Sequence, residues 1–167
     1  MEAFYQTVAT FCFTLLGLWW GVLQLRHDDW VNDPARRRMA YSVHLAFVMP
    51  GVMSLGAQTA GDIRIIWRLV FIVAGVAGIA ATVFLIAATS GRGAPQGWFT
   101  RYGRWLAVAL YTLVVLLAIF PNSTAAVFGP DIRPLQIEGL LFTVIVFLGV
   151  GHAWDFLAEP KRKPPPA

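Results

Sequence analysis

Apolar and charged positions alternate along this chain in long blocks, with charge-free windows separated by short charged interruptions. A charge at the centre of a bilayer costs roughly 3 kcal/mol even on the lenient insertion scale, so such windows locate membrane spans. Five emerge: Ala3 to Leu25, Met39 to Gly61, Leu69 to Gly91, Trp105 to Pro130, and Gly139 to Trp154. The first four are long enough to cross. The fifth, at a rise of about 1.5 Å per residue, reaches roughly 24 Å against the roughly 30 Å of hydrocarbon, which brings Glu138, Asp155 or both to the hydrocarbon. Local signals fit these ends. Asp33 followed by Pro34 predicts an N-cap with proline at the first helical position, Asp62 can cap the third helix, and Ser90-Gly91 suits its end. Asp131 with Pro134 can start the fifth helix, and Pro50-Gly51 favours a kink in the second.

Composition points the same way. The 167 residues are 57% hydrophobic and 13% charged, with a mean hydropathy of +0.63. That leaves too little polar surface to coat a soluble globule. Backbone groups in lipid must be satisfied internally, and helices fit windows of this length. The expected fold is therefore all-α: a polytopic integral membrane protein, a bundle of five transmembrane helices in one domain over residues 1–159. A short basic, proline-rich tail over 160–167 follows and acts as a topology anchor. Glu2 stands where a signal peptide would carry basic residues, so the first window is kept as a span. With the N-terminus outside and the C-terminus cytoplasmic, ten of the basic residues (Arg26, Arg36, Arg37, Arg38, Arg92, Arg101, Arg104, Lys161, Arg162, Lys163) fall inside. Three (Arg64, Arg68, Arg133) fall outside. Trp30, Trp98, Trp105 and Trp154 then gather at the inner interface, with Tyr5 and Trp67 at the outer one.

Helix faces supply the candidate chemistry. In the first span Thr7, Thr10, Thr14, Gly17 and Gly21 step by threes and fours along one face, continued by Ala3, Gln24 and Asp28. Small and hydroxyl residues on one stripe suit either a helix-packing seam or a water-lined wall. The third span carries Arg64, Arg68, Phe71, Gly75, Gly78, Thr82 and Thr89 on one face, with Asp62 beside it. This outer spot can attract an anion, or its arginines can snorkel to lipid phosphates or pair with a carboxylate. Glu138 is the natural partner of Arg68, since both lie about one turn inside the outer face. Gln58, Arg64, Arg68 and Glu138 form an outer polar layer; His27, His44, His152 and Asp155 form an inner one. Four readings of the histidines stay open: neutral, hydrogen-bonded imidazoles; a proton-sensing cluster with Asp155; a metal site including Asp28 or Asp155; or a b-type haem between His44 and His152.

Other chemistry finds no support. Cys12 stands alone, which disfavours thiol redox activity, and Lys161 and Lys163 both lie in the tail, which leaves no span an amine for a retinal Schiff base. No phosphate-cradling glycine loop, nucleophile elbow, HExxH pair or calcium loop occurs, and no internal repeat. Neither an enzyme nor a nucleic-acid partner is expected, and no cofactor or metal is assigned. Three functions remain. The first is an oligomeric channel or small carrier for an ion, proton or small solute in the cell membrane, with Arg64, Arg68, Glu138, Gln58, His44, His152 and Asp155 along its path. The second is a non-catalytic accessory or assembly subunit of a larger membrane complex. The third is a haem electron-transfer subunit. Besides the lipid bilayer, the partner expected is a second copy of the chain or a membrane-complex subunit.

Overall fold

The computed structural model describes residues 2–61, 63–89, 98–122, 129 and 133–158. They form α1 (Glu2–Leu25), the one-turn α2 (His27–Trp30), α3 (Pro34–Ala60), α4 (Arg64–Thr89), α5 (Trp98–Ile119) and α6 (Pro134–Ala158). All except α2 are long and apolar enough to cross a membrane. The described chain is all-helical and built as a multi-pass membrane protein.

The helix ends follow from local chemistry. The Asp33 carboxylate accepts hydrogen bonds from the backbone N–H of Ala35 at 2.9 Å and Arg36 at 3.4 Å, and Pro34 opens α3. At the start of α6 the Gln136 side chain accepts from the Arg133 N–H at 2.9 Å, the reciprocal half of a capping box. The fourth charge-free window overshoots its helix. It continues to Pro130, whereas α5 ends at Ile119, just before Phe120-Pro121, because proline pushes the residue ahead of it out of the α region. The fifth window falls short of its helix. α6 begins at Pro134 and runs to Ala158, taking Glu138 and Asp155 into the span. Asp62, Ser90, Gly91, Asp131 and the tail over 160–167 lie outside the described residues.

α3 is the hub of the bundle: α1, α4 and α6 all pack on it, and α5 closes the far side between α4 and α6. Close approach depends on missing side chains. A Cβ on Gly149 would stand 2.8 Å from both Ala46 and Phe47 of α3, and one on Gly78 of α4 would stand 3.0 Å from the Tyr111 ring of α5. The buried interior formed this way includes Met53, Phe71, Val114, Phe142 and Ile145.

α1 attaches differently. It buries Tyr5, Ala9, Cys12, Trp19 and Leu23, and turns Thr7, Thr10, Thr14, Gly17, Gly21 and Gln24 outward. The stripe of small residues is therefore not the face by which α1 packs on its own chain. The opposite face packs instead: Trp19 is buried edge-on against Phe156 and its indole N–H donates to the Ala40 carbonyl at 3.2 Å, while Phe11, Leu18 and Trp20 stay exposed. Thr7 and Thr10 satisfy their hydroxyls on the Ala3 and Gln6 carbonyls, which lets them face lipid. After α1, Arg26 ties the chain down. It pairs with Asp29 at 2.8 Å and donates to the Phe156 and Leu157 carbonyls at 3.3 and 3.2 Å, joining the ends of α1 and α6.

Candidate functional site

Two polar stations lie inside the bundle, near opposite ends of α6. The first is Glu138. Its side chain is 0% exposed, and neither carboxylate oxygen has a hydrogen-bond partner among the described residues; the Ser54 hydroxyl of α3, also 0% exposed, has none either. The antiparallel register brings these two to nearby levels. Gly149 faces Ala46, so Glu138, eleven residues earlier on α6, falls level with Ala57 of α3. Tyr5 is close enough to Glu138 for the two to interact electrostatically, yet its phenol donates to the Leu135 carbonyl at 2.6 Å. The rings of Tyr5, Phe71 and Phe142 form a mutual cluster at this level, with centroids 5.2 to 6.5 Å apart. A carboxyl group held there without compensation carries a large desolvation cost, and such residues within a membrane span are as a rule functional.

The second station lies at the end where Arg36, Arg38 and Arg104 sit, here called the basic end. A cavity of about 20 Å³ is lined by Ser42 of α3, Thr82 of α4, Arg104 and Tyr111 of α5, and His152 of α6. Arg104 is 4% exposed and His152 is 3% exposed. Arg38 lies near enough to Arg104 for their charges to oppose each other. Gly103 makes room for the imidazole, since a Cβ there would stand 2.9 Å from His152 Nε2. The hydroxyl protons of Ser42, Thr82 and Tyr111 are directed to backbone carbonyls, at 3.1 Å to Arg38, 2.7 Å to Gly78 and 3.4 Å to Leu45 respectively.

Several expected partnerships do not form. Arg68 does not pair with Glu138. It donates instead to the carbonyls of Ala118 at 2.7 Å and Ile119 at 2.9 Å, capping the C-terminus of α5, where unsatisfied carbonyls and the negative end of the helix dipole attract a cation. Gln58 donates to the Ser54 carbonyl within its own helix. Arg64 opens α4, but its side chain lies outside the described residues.

The three histidines do not converge on one site. His44 stands edge-on to Trp20 at 5.8 Å and lines a surface groove with Trp30, Arg37 and Tyr41, while His152 faces the interior cavity. α3 separates the two, so they do not converge on one haem. His27 is exposed, beside Asp28 at 3.6 Å and the Trp30 ring. Among the described residues no three histidine, cysteine or acidic side chains come together as a metal site. Asp155 is half-buried, one turn beyond His152.

Sequence reasoning misses Arg104, Tyr5 and Ser54 as site residues. For Arg104 a signal exists: Arg104, Ala107, Tyr111, Val114 and Ala118 recur at helical spacing on one face of α5, all buried. Comparison of the chain with protein-family models, with curated proteins and with solved structures finds no match.

Proposed function

We propose that this protein is a small membrane carrier for an ion, a proton or a small solute, working between the Glu138 station and the basic-end cavity. The N-terminus lies outside and the C-terminus in the cytoplasm of a cell membrane, which puts the basic end on the cytoplasmic side. The observation that carries the reading is Glu138, an ionisable side chain fully buried in a span and without a hydrogen-bond partner among the described residues. A group of this kind opposes folding into the bundle, so a stability role does not account for it.

A carrier is favoured over an open channel by what lies between the stations. Met53, Phe71, Val114 and Phe142 are each 0% exposed and occupy the interior over this stretch. Passage then requires the helices to repack, alternately exposing one station or the other. Arg68, Gln58 and His44 contribute less directly on this reading, because their side chains engage a helix end, their own helix and the surface groove.

The accessory-subunit reading is favoured by one feature, the outward stripe of α1, where a Cβ added to Gly17 or Gly21 would have no neighbour within 4 Å. That stripe also suits association of copies of the chain, as an oligomeric carrier requires.

The test is flux through the purified protein in liposomes, measured with proton, cation and anion gradients between pH 5 and 8. Specific flux that falls at least about tenfold in a folded Glu138→Gln variant supports the carrier. Equal flux in both proteins, or none in folded wild type, sinks it and turns the assignment to a subunit.

A further inference from the structure

Glu138 of α6 and Ser54 of α3 are both fully buried, and neither the carboxyl oxygens nor the hydroxyl has a hydrogen-bond partner among the described residues. They lie on facing sides of their helices. Ser54 is two turns beyond Phe47 and Glu138 is three turns before Gly149, and Phe47 and Gly149 are in close apposition. Both carboxyl oxygens are sealed from any particle the size of a water molecule. Tyr5, which interacts with Glu138, directs its phenolic proton to the Leu135 carbonyl at 2.6 Å, so it offers the carboxyl lone pairs. Lone pairs repel a carboxylate and suit the O–H of a carboxylic acid. Few other charges face this level among the described residues. α1 adds the exposed Glu2, α4 adds Arg68, whose guanidinium is turned to the end of α5, and on α6 itself Arg133 is exposed. α3 and α5 bring no ionisable side chain to it.

We propose that Glu138 is a proton-binding site and that the proton is the ion this carrier moves. The inference rests on the carrier reading and names its cargo. Space and ligand chemistry select it. A metal cation gives up its hydration shell only where several oxygens replace it, and the rings of Phe71 and Phe142 at this level supply none. An anion needs donors, and no N–H or O–H of the described residues reaches the carboxyl. A solute needs room, and a fully buried side chain packed among rings leaves none. A proton needs only one oxygen and takes up no volume. Its uptake turns an acceptor-only carboxylate into a neutral acid, which removes the charge from the apolar interior and supplies the O–H that the lone pairs of Tyr5 and Ser54 suit. In each cycle one proton leaves water at one face and forms an O–H bond on Glu138. That bond breaks when the helices repack, and the proton passes to water at the other face, so no oxidant or second reactant enters the balance.

The experiment has two arms, both on the full-length protein. In maltoside micelles a lipophilic carbodiimide, which adds to carboxylic acids and not to carboxylates, is followed by peptide mass spectrometry. Glu138 is labelled, the exposed Glu2 and Asp28 are labelled far less, and excess sodium does not protect. In liposomes with a trapped pH dye, potassium and valinomycin supply the counter-charge in a medium free of sodium and chloride. Wild type moves protons there, folded Glu138→Gln moves them at least about tenfold more slowly, and Glu138→Asp, which keeps a carboxyl, regains part of the rate. If Glu138→Gln does not fold, wild type labelled at Glu138 takes its place and is blocked. Protection by sodium would make the site a metal-cation site, and labelling of Glu138 no greater than that of Glu2 would make it a carboxylate; either overturns the proposal. Sodium or chloride flux that depends on Glu138, without proton flux, overturns the cargo and leaves the carrier reading intact. No flux of any ion through folded wild type defeats the carrier reading and the cargo with it.

Discussion

The two stations solve the problem of polarity in a membrane in opposite ways. At the basic end Arg104 and His152 share a cavity with hydroxyls from three helices, each contributed by residues that the packing of α3 to α6 brings together. Glu138 has no such company: it lies among aromatic rings, and its carboxylate oxygens find no hydrogen-bond donor among the described residues. The fold therefore supports one station and tolerates the other. Removing polarity from the first should weaken the protein, whereas removing it from the second should relieve it while abolishing whatever the carboxyl does.

The largest effect is expected at Glu138. Glu138→Leu should leave stability in detergent unchanged or raised, since an apolar side chain of similar volume replaces an uncompensated polar group. Flux in liposomes should fall by about two orders of magnitude, the equivalent of roughly 3 kcal/mol on a barrier. Paired thermal-unfolding and flux measurements check both. A variant that loses stability along with flux would make Glu138 structural and erase the contrast between the stations.

Next comes Gly103→Ala at the basic end. The new methyl group would meet His152 Nε2 at 2.9 Å, so the imidazole or α6 must give way. Overpacking of this kind typically costs about 1–3 kcal/mol, read by denaturant titration in micelles. The cost should be additive with Glu138→Leu, because fourteen residues of α6, about 21 Å, separate His152 from Glu138. Strong non-additivity would show the two stations to be one coupled unit.

Arg68 offers a sharper test of what belongs to the Glu138 station. Arg68→Gln removes two charge-assisted hydrogen bonds to the last carbonyls of α5 and should destabilise by about 1–2 kcal/mol. In a double-mutant cycle with Glu138→Gln the coupling should be within about 0.5 kcal/mol of zero. A large coupling energy would restore the ion pair that matched depths suggest.

These cases show what the sequence makes legible and what it hides. The cost of a charge in hydrocarbon is large, so charge-free windows find the five spans, and counting residues from their ends gives each side chain's depth. Depth does match for Arg68 and Glu138, and for His44 and His152. What the sequence withholds is azimuth. α4 turns Arg68 towards α5, and α3 separates His44 from His152. Azimuth is hidden because lipid is as apolar as a packed helix face, so the hydrophobic pattern that orients a helix in a soluble protein orients nothing here. α3, the least apolar of the five spans, is also the most buried. The end of α5 is hidden for a related reason, since the apolar run continues past Phe120-Pro121 and a count of charges does not register a proline.

The smallest effect on the chain itself is expected on α1, where this ambiguity of faces is greatest. Its stripe of Thr7, Thr10, Thr14, Gly17 and Gly21 looks like a seam, yet the chain packs with the opposite face. Gly17→Leu should therefore not destabilise the monomer, and should raise its stability by no more than about 1 kcal/mol through helix propensity, because nothing lies within 4 Å of the new Cβ and the added side chain meets detergent or lipid. Any consequence should be confined to association. If copies of the chain meet along this stripe, the bulk of leucine holds their backbones apart, and the oligomer seen by analytical ultracentrifugation in micelles should dissociate while each chain stays folded. A variant that instead unfolds as readily as Gly103→Ala would mean that the stripe is covered by its own chain, and the difference between α1 and the helices around α3 would disappear.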